Sequence, residues 1–350
     1  MASLFFWRKD KSAAATPPVA ASSPPPLVHD APPAPPPAPA AAESLPVQRL
    51  LLALALDDER AADPAVRLDA AQTRLLLQAS HEFANVGKEP RHTPQRPSLL
   101  PQLLEVLNDE DASLRALSRI VAQDPELTAD LLGCANSPLY RVSAAPVESI
   151  DRATVMLGTT GLRTLIAGAL LSPMKQVRGS NLGHFGDVMW EHALYSASAA
   201  EAWAGRNQSA DPFAAHLVAL LHGLGCVTVY GVLAELYAGQ TGVRPDAATI
   251  ASSIETNAAV TASRIAANWG LSERTRQALE AQSAAAPVAE AAPLARALQF
   301  GLLAGALTLL CRHQRLATGE AVRQLELAGF SGPVTERIWD RLANAYVSHH

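Results

Sequence analysis

The sequence predicts an all-α protein built around one compact multi-helix domain, and three observations lead there. Aromatic residues make up only 5% of the chain, and runs of alternating Val, Ile and Thr are missing, so the usual mark of a β-strand is weak. Alanine and leucine, both strong helix formers, are abundant. From Leu99 onward apolar residues recur at three- and four-residue spacing between Asp-Pro starts and Gly stops. The 350 residues are 49% apolar, enough for a large core with extensions. A formal net charge of −5 argues against a general nucleic-acid binder, although residues 141–178 carry Arg141, Arg152, Arg163, Lys175 and Arg178 against Glu148 and Asp151.

Taken in order, residues 1–44 form a leader and tether. Eleven of the 26 prolines fall between Pro17 and Pro39, within a stretch of Ala, Pro and Ser too poor in apolar bulk to order itself. The tether sets apart Phe5, Phe6, Trp7, Arg8 and Lys9, which read either as a docking peptide or as a disordered start with accidental aromatics. The charges of this start follow its apolar residues, the reverse of a secretory signal. Residues 45–94 form a helical pre-domain. Its helices are expected over Leu45–Leu56 and Ala65–Val86, the second started by Asp63-Pro64 and closed by Gly87. A proline-punctuated linker over residues 88–98 marks a boundary.

The main domain, residues 95–285, begins with the apolar face of Leu99, Leu100, Leu103, Leu104 and Leu107. Asp111 caps the next helix, and Asp124-Pro125 starts another whose end is Asn136-Ser137-Pro138. Asn136, Ser137 and Tyr140 form either an interaction loop or an ordinary helix cap. Helices follow over Ile150–Leu157, stopped by Gly158, and over Leu162–Leu171. Asp211-Pro212 caps a helix with Phe213, Leu217, Leu220, Leu221 and Leu224 on one stripe, expected to stop at Gly223 and Gly225. His222 then sits in its last turn, where it complements the helix dipole. The C-terminal extension, residues 286–350, holds helices over Leu294–Leu310, Thr318–Leu327 and Pro333–Tyr346, which either cover the main domain or form a homodimer seam. Within it Ala297–Cys311 is uncharged over about 15 residues, short of the roughly 18–20 a membrane span needs, so no transmembrane segment is expected. Cys134, Cys226 and Cys311 are too few and too scattered for a disulfide framework or zinc ribbon and read as reduced cytoplasmic thiols.

The string LPQLLEVLNDEDASLRALSRIVAQDPELTADLLGCANSPLY followed by SIDRATVMLGTTGLRTL, then MWEHALYSASAAEAWA and FAAHLVALLHGLG, resembles the HDOD family, the His-Asp-related output domain of bacterial signalling proteins. The resemblance covers about residues 95–285 and implies an HD-superfamily-like helical fold. In the wider superfamily, adjacent His and Asp grip divalent ions that activate water. Here His192 and His222 stand at the histidine positions, but Gly223 occupies the aspartate's place, and the later histidine positions hold Asn257 and about Gln282-Ser283. The resemblance with this broken ligand set implies no metal, no cofactor and a non-catalytic output or scaffolding module acting on an unidentified signalling protein. A metal-dependent phosphohydrolase and a nucleotide sensor without hydrolysis are the alternatives.

Overall fold

A computed structural model describes residues 45–64, 68–96, 101–102, 114–123, 128–129, 131–132, 135–136, 146–158, 184–283 and 291–347. Among the described residues the architecture is helical, with a lone β-bridge between Val86 and Glu89. The named helices are α1 (Val47–Leu56), α2 (Ala70–Asn85), α3 (Leu114–Val121), α4 (Phe185–Asn207), α5 (Pro212–Gly239), α6 (Ala247–Asn268), α7 (Glu273–Glu280), α8 (Pro293–Arg312), α9 (Thr318–Leu327) and α10 (Pro333–Val347). Residues 150–158 are also helical and end at Gly158 with φ +60°, as the sequence predicts.

Two expectations about helix ends are corrected. The second helix begins at Ala70, not Ala65: the Asp69 carboxylate accepts a hydrogen bond from the Gln72 amide at 2.7 Å, while Asp63 closes a short 3₁₀ turn over Glu59–Ala62. Both sites carry an aspartate, and the spacing to the apolar stripe does not separate them. The larger correction concerns α5. It does not stop at Gly223 and Gly225 but runs for 28 residues, so His222 lies in mid-helix, without the terminal carbonyls the sequence assigned to it. Its start is as expected, with the Asp211 carboxylate accepting from the Ala214 amide at 2.6 Å and Pro212 in the first turn.

Gly225 continues the helix because it is needed for contact. A Cβ there would meet Ala262 Cβ at 2.9 Å and crowd the Ala258 carbonyl oxygen, so only glycine lets α5 lie this close to α6. The same device joins α8 to α4. A Cβ on Gly301 would stand 2.5 Å from the Ser196 carbonyl oxygen and 2.7 Å from Ala200 Cβ, and one on Gly305 would stand 2.9 Å from the Ser196 amide nitrogen. Packing between α4 and α8, α4 and α5, and α5 and α6 is the most extensive in the molecule. Phe185 stacks on Tyr230 at 4.0 Å between ring centres, and Trp203, Phe300 and Phe330 cluster beneath the guanidinium of Arg296.

Residues 43–350 form one compact unit. Within it, the segment after α2 packs down: Trp269 Nε1 donates to the Pro94 carbonyl at 3.1 Å, Arg96 donates to the Trp269 carbonyl at 3.0 Å, and Arg91 pairs with Glu235. The C-terminal helices are equally integral, since Leu298, Phe300, Leu307, Leu309 and Leu310 are buried. Among the described residues two helices are long and apolar enough to cross a membrane, α5 with mean hydropathy 2.0 and α8 with 1.6. The uncharged run Ala297–Cys311 lies within α8, and α5 was not singled out from sequence as a span candidate. In this structure 83% and 72% of their apolar windows are buried within the protein.

Candidate functional site

The glycine-mediated crossings bring α4, α5, α6 and α8 together around two histidines. His192, on α4, is completely buried. Its Nε2 lies 3.1 Å from the Leu302 carbonyl oxygen, which can only accept, so Nε2 carries the proton; the Ser196 hydroxyl is 3.2 Å from the same nitrogen. Nδ1 is left as a bare buried lone pair without a partner among the described residues. Burial, with no anion to offset it, pulls the His192 pKa down to about 4, the bond to Leu302 opposing the shift.

His222 is 7% exposed and borders a cavity of about 240 Å³. Burial first, and the proximity of His192 second, lower its pKa to about 3, so both imidazoles are neutral at pH 7. One turn on, the Cys226 thiol lies 3.8 Å from His222 Nδ1, and burial pushes its pKa up to about 12, so it is a neutral thiol and a poor nucleophile. The opposite wall comes from Ile254, Glu255 and Ala258 of α6. Gln282 lies beyond α7, its amide nitrogen donating to the Ala278 carbonyl at 2.9 Å and to that of Ala295 at 3.3 Å. Gln48 of α1 and Leu302 of α8 complete the lining. Next to Gln48, the buried Arg49 donates to the Glu255 carboxylate through Nε at 2.8 Å, and its Nη2 stands 2.7 Å from the same oxygen. That pair fastens α1 across the cavity's edge.

These residues do not fit a divalent ion. Among the described residues the lining offers one imidazole, one carboxylate already engaged by a guanidinium, one protonated thiol and two neutral amides. The nearby second imidazole, that of His192, keeps a bare Nδ1 lone pair but is not among the residues that line the cavity. Among the described residues no group of three or more His, Cys, Asp or Glu is placed to share a metal. The groups named here can hydrogen-bond a small uncharged polar molecule.

Of the residues singled out from sequence, His222 and Gln282 meet at this cavity and His192 lies just behind Leu302. Gly223 is buried in α5 beside them. Asn257 is not on the wall: its amide donates to the Ser253 carbonyl of its own helix at 2.9 Å. Asn136 has a defined structural task. Its amide nitrogen donates to the carbonyls of Leu132 at 2.8 Å and Val147 at 2.9 Å, while its Oδ1 accepts from the Val147 amide at 2.7 Å. Ser137, Tyr140, Phe5, Phe6, Trp7, Cys134 and the Asp124-Pro125 start lie outside the described residues. Gln48, Cys226, Glu255 and Leu302 were missed. Only Cys226 had a sequence signal, its four-residue spacing from His222.

The HDOD domain model matches residues 93–285. Among solved structures, a protein from Marinobacter aquaeolei VT8, provisionally described as a signal transduction protein, aligns with a TM-score of 0.54 and 21% identity over 82% of this chain and 66% of its own. An HDOD domain protein of unknown function from Geobacter sulfurreducens gives 0.52 and 21% over 79% and 96%. One from Shewanella amazonensis SB2B, provisionally described as a metal-dependent phosphohydrolase, gives 0.50 and 16% over 79% and 100%. At these identities the likeness is one of fold, and it extends over more of the chain than the family match does. A search of curated proteins finds no match.

Proposed function

Because this chain belongs to the HDOD family, we propose that it is a non-catalytic signal-transduction module, an output or scaffolding domain that works through contacts with another protein. The observation that carries this reading is the state of the cavity around His222. Gly223 stands where the superfamily has its aspartate, both imidazoles are neutral, and the sole carboxylate in the lining among the described residues is tied to Arg49. Such a site lacks the anionic donors that balance a dication and lower the pKa of its water. A second reading, a sensor of a small uncharged polar ligand, is favoured by the cavity itself and its amide and imidazole lining.

Elemental analysis of the full-length protein, with phosphomonoester and phosphodiester assays, tests the first reading. The expected result is substoichiometric metal and no turnover. Gly223→Asp is expected not to bring Mn²⁺ binding into the micromolar range by titration calorimetry, because one new carboxylate joins the one imidazole that lines the cavity among the described residues. Stoichiometric metal in the native protein, with turnover lost in His222→Ala, overturns the reading.

A further inference from the structure

On another face, a second cavity of about 340 Å³ opens between the C-terminal half of α4, the first residue of α5, Pro212, and α10. Its distinguishing feature is a pair of arginines brought together from positions far apart in the chain. Arg206 lies in the last turn of α4 and Arg341 on α10. Both side chains are exposed, and neither guanidinium has a hydrogen-bond or ion-pair partner among the described residues. Two like charges sharing one cavity repel each other, a cost that an anion between them reverses. Glu201 is the carboxylate in the lining, and its Oε2 is already held by Nδ1 of the nearly buried His216 at 2.9 Å. The His216 Nε2 is buried without a partner among the described residues.

We propose that this cavity binds a small phosphorylated molecule, with the phosphoryl group between Arg206 and Arg341. The two guanidinium forks arrive from different helices. A tetrahedral phosphoryl group presents oxygens toward both, whereas a planar carboxylate satisfies one fork and leaves the other unmatched. The cavity is larger than a bare phosphate needs and lies in the range of small-molecule sites, about 300–1,000 Å³. One and two turns back along α4, Glu201 and Ser198 line the same space, and their acceptor and hydroxyl groups suit the hydroxyls of an uncharged organic body. Arg341 lies beyond residues 93–285, so the site depends on the C-terminal helices and is not a property of the matched region alone.

The test is titration calorimetry on the full-length protein in physiological salt, with ribose 5-phosphate, inorganic phosphate, acetate and ribose as probes. Saturable one-to-one binding of ribose 5-phosphate is expected, tighter than inorganic phosphate, with acetate and ribose inert. Arg206→Gln and Arg341→Gln are each expected to weaken it by about tenfold or more, the scale of one charge-assisted contact. Ala202→Phe, which fills the cavity without changing charge, is expected to abolish it. Arg337→Gln serves as the control, since that exposed side chain on α10 bonds the Pro333 carbonyl and does not line the cavity. Circular dichroism establishes that each variant is folded. Absence of saturable binding, equal binding of acetate, or binding unaffected by both arginine substitutions overturns the proposal.

Discussion

At the scale of single residues, the two buried histidines make stability depend on pH. In the unfolded chain each titrates near 6.5, while in the folded protein His192 titrates near 4 and His222 near 3. Between those values the unfolded state binds more protons, so stability falls as pH drops from about 6.5 toward 4, by up to about 1.4 kcal/mol per pH unit for each histidine. Above pH 6.5 neither contributes a slope. Urea unfolding at pH 7, 6 and 5 is expected to show this loss, and the double variant His192→Gln, His222→Gln is expected to flatten it although it is less stable at pH 7. An unchanged slope in the double variant would show that other groups govern acid sensitivity.

At the scale of helices, glycine has opposite consequences at two places in α5. A methyl group at Gly225 meets the α6 backbone, whereas one at Gly231 meets nothing within 4 Å. Gly225→Ala is therefore expected to destabilise by about 1–3 kcal/mol through overpacking, and Gly231→Ala to stabilise by up to about 1 kcal/mol through helix propensity. Denaturant midpoints of the two variants check the contrast; a shift in the same direction for both would mean that α5 and α6 are not in backbone contact. The same residues show what was legible in sequence. The helical class, the Asp211-Pro212 start and the final three helices follow from local signals, because caps and apolar spacing act within one or two turns. The continuation of α5 past Gly225 does not, since a glycine that ends a helix and one that admits a neighbouring helix look alike until the neighbour is known. The candidate site divides along the same line. His222 and Gln282 stand at family positions, but Gln48, Glu255 and Leu302 reach the cavity only through tertiary packing, and Asn257, one residue before Ala258, belongs to another face of α6.

At the scale of the whole molecule, the family-matched region does not complete its core by itself. His192 depends on a carbonyl of α8, Glu255 on an arginine of α1, and α4 offers α8 a surface of Ser196 and Ala200 that is covered only when α8 is present. A fragment of residues 93–285 is expected to bind a hydrophobic dye and to melt without a cooperative transition, while residues 45–347 are expected to melt cooperatively. A sharp transition for the shorter fragment within a few degrees of the longer one would mean that the flanking helices are accessories.

The length and apolarity of α5 also bear on how the protein is made. The apolar stretch of α5 is covered mainly by α4, made before it, and by α6, whose end follows that of α5 by about 30 residues, seconds of translation at about 5–20 residues per second. Until α6 is made, α5 presents the nascent chain's surroundings with a half-covered segment as apolar as a membrane anchor. Slower elongation between α5 and α6 is therefore expected to lengthen the time for which that segment is open to nascent-chain chaperones.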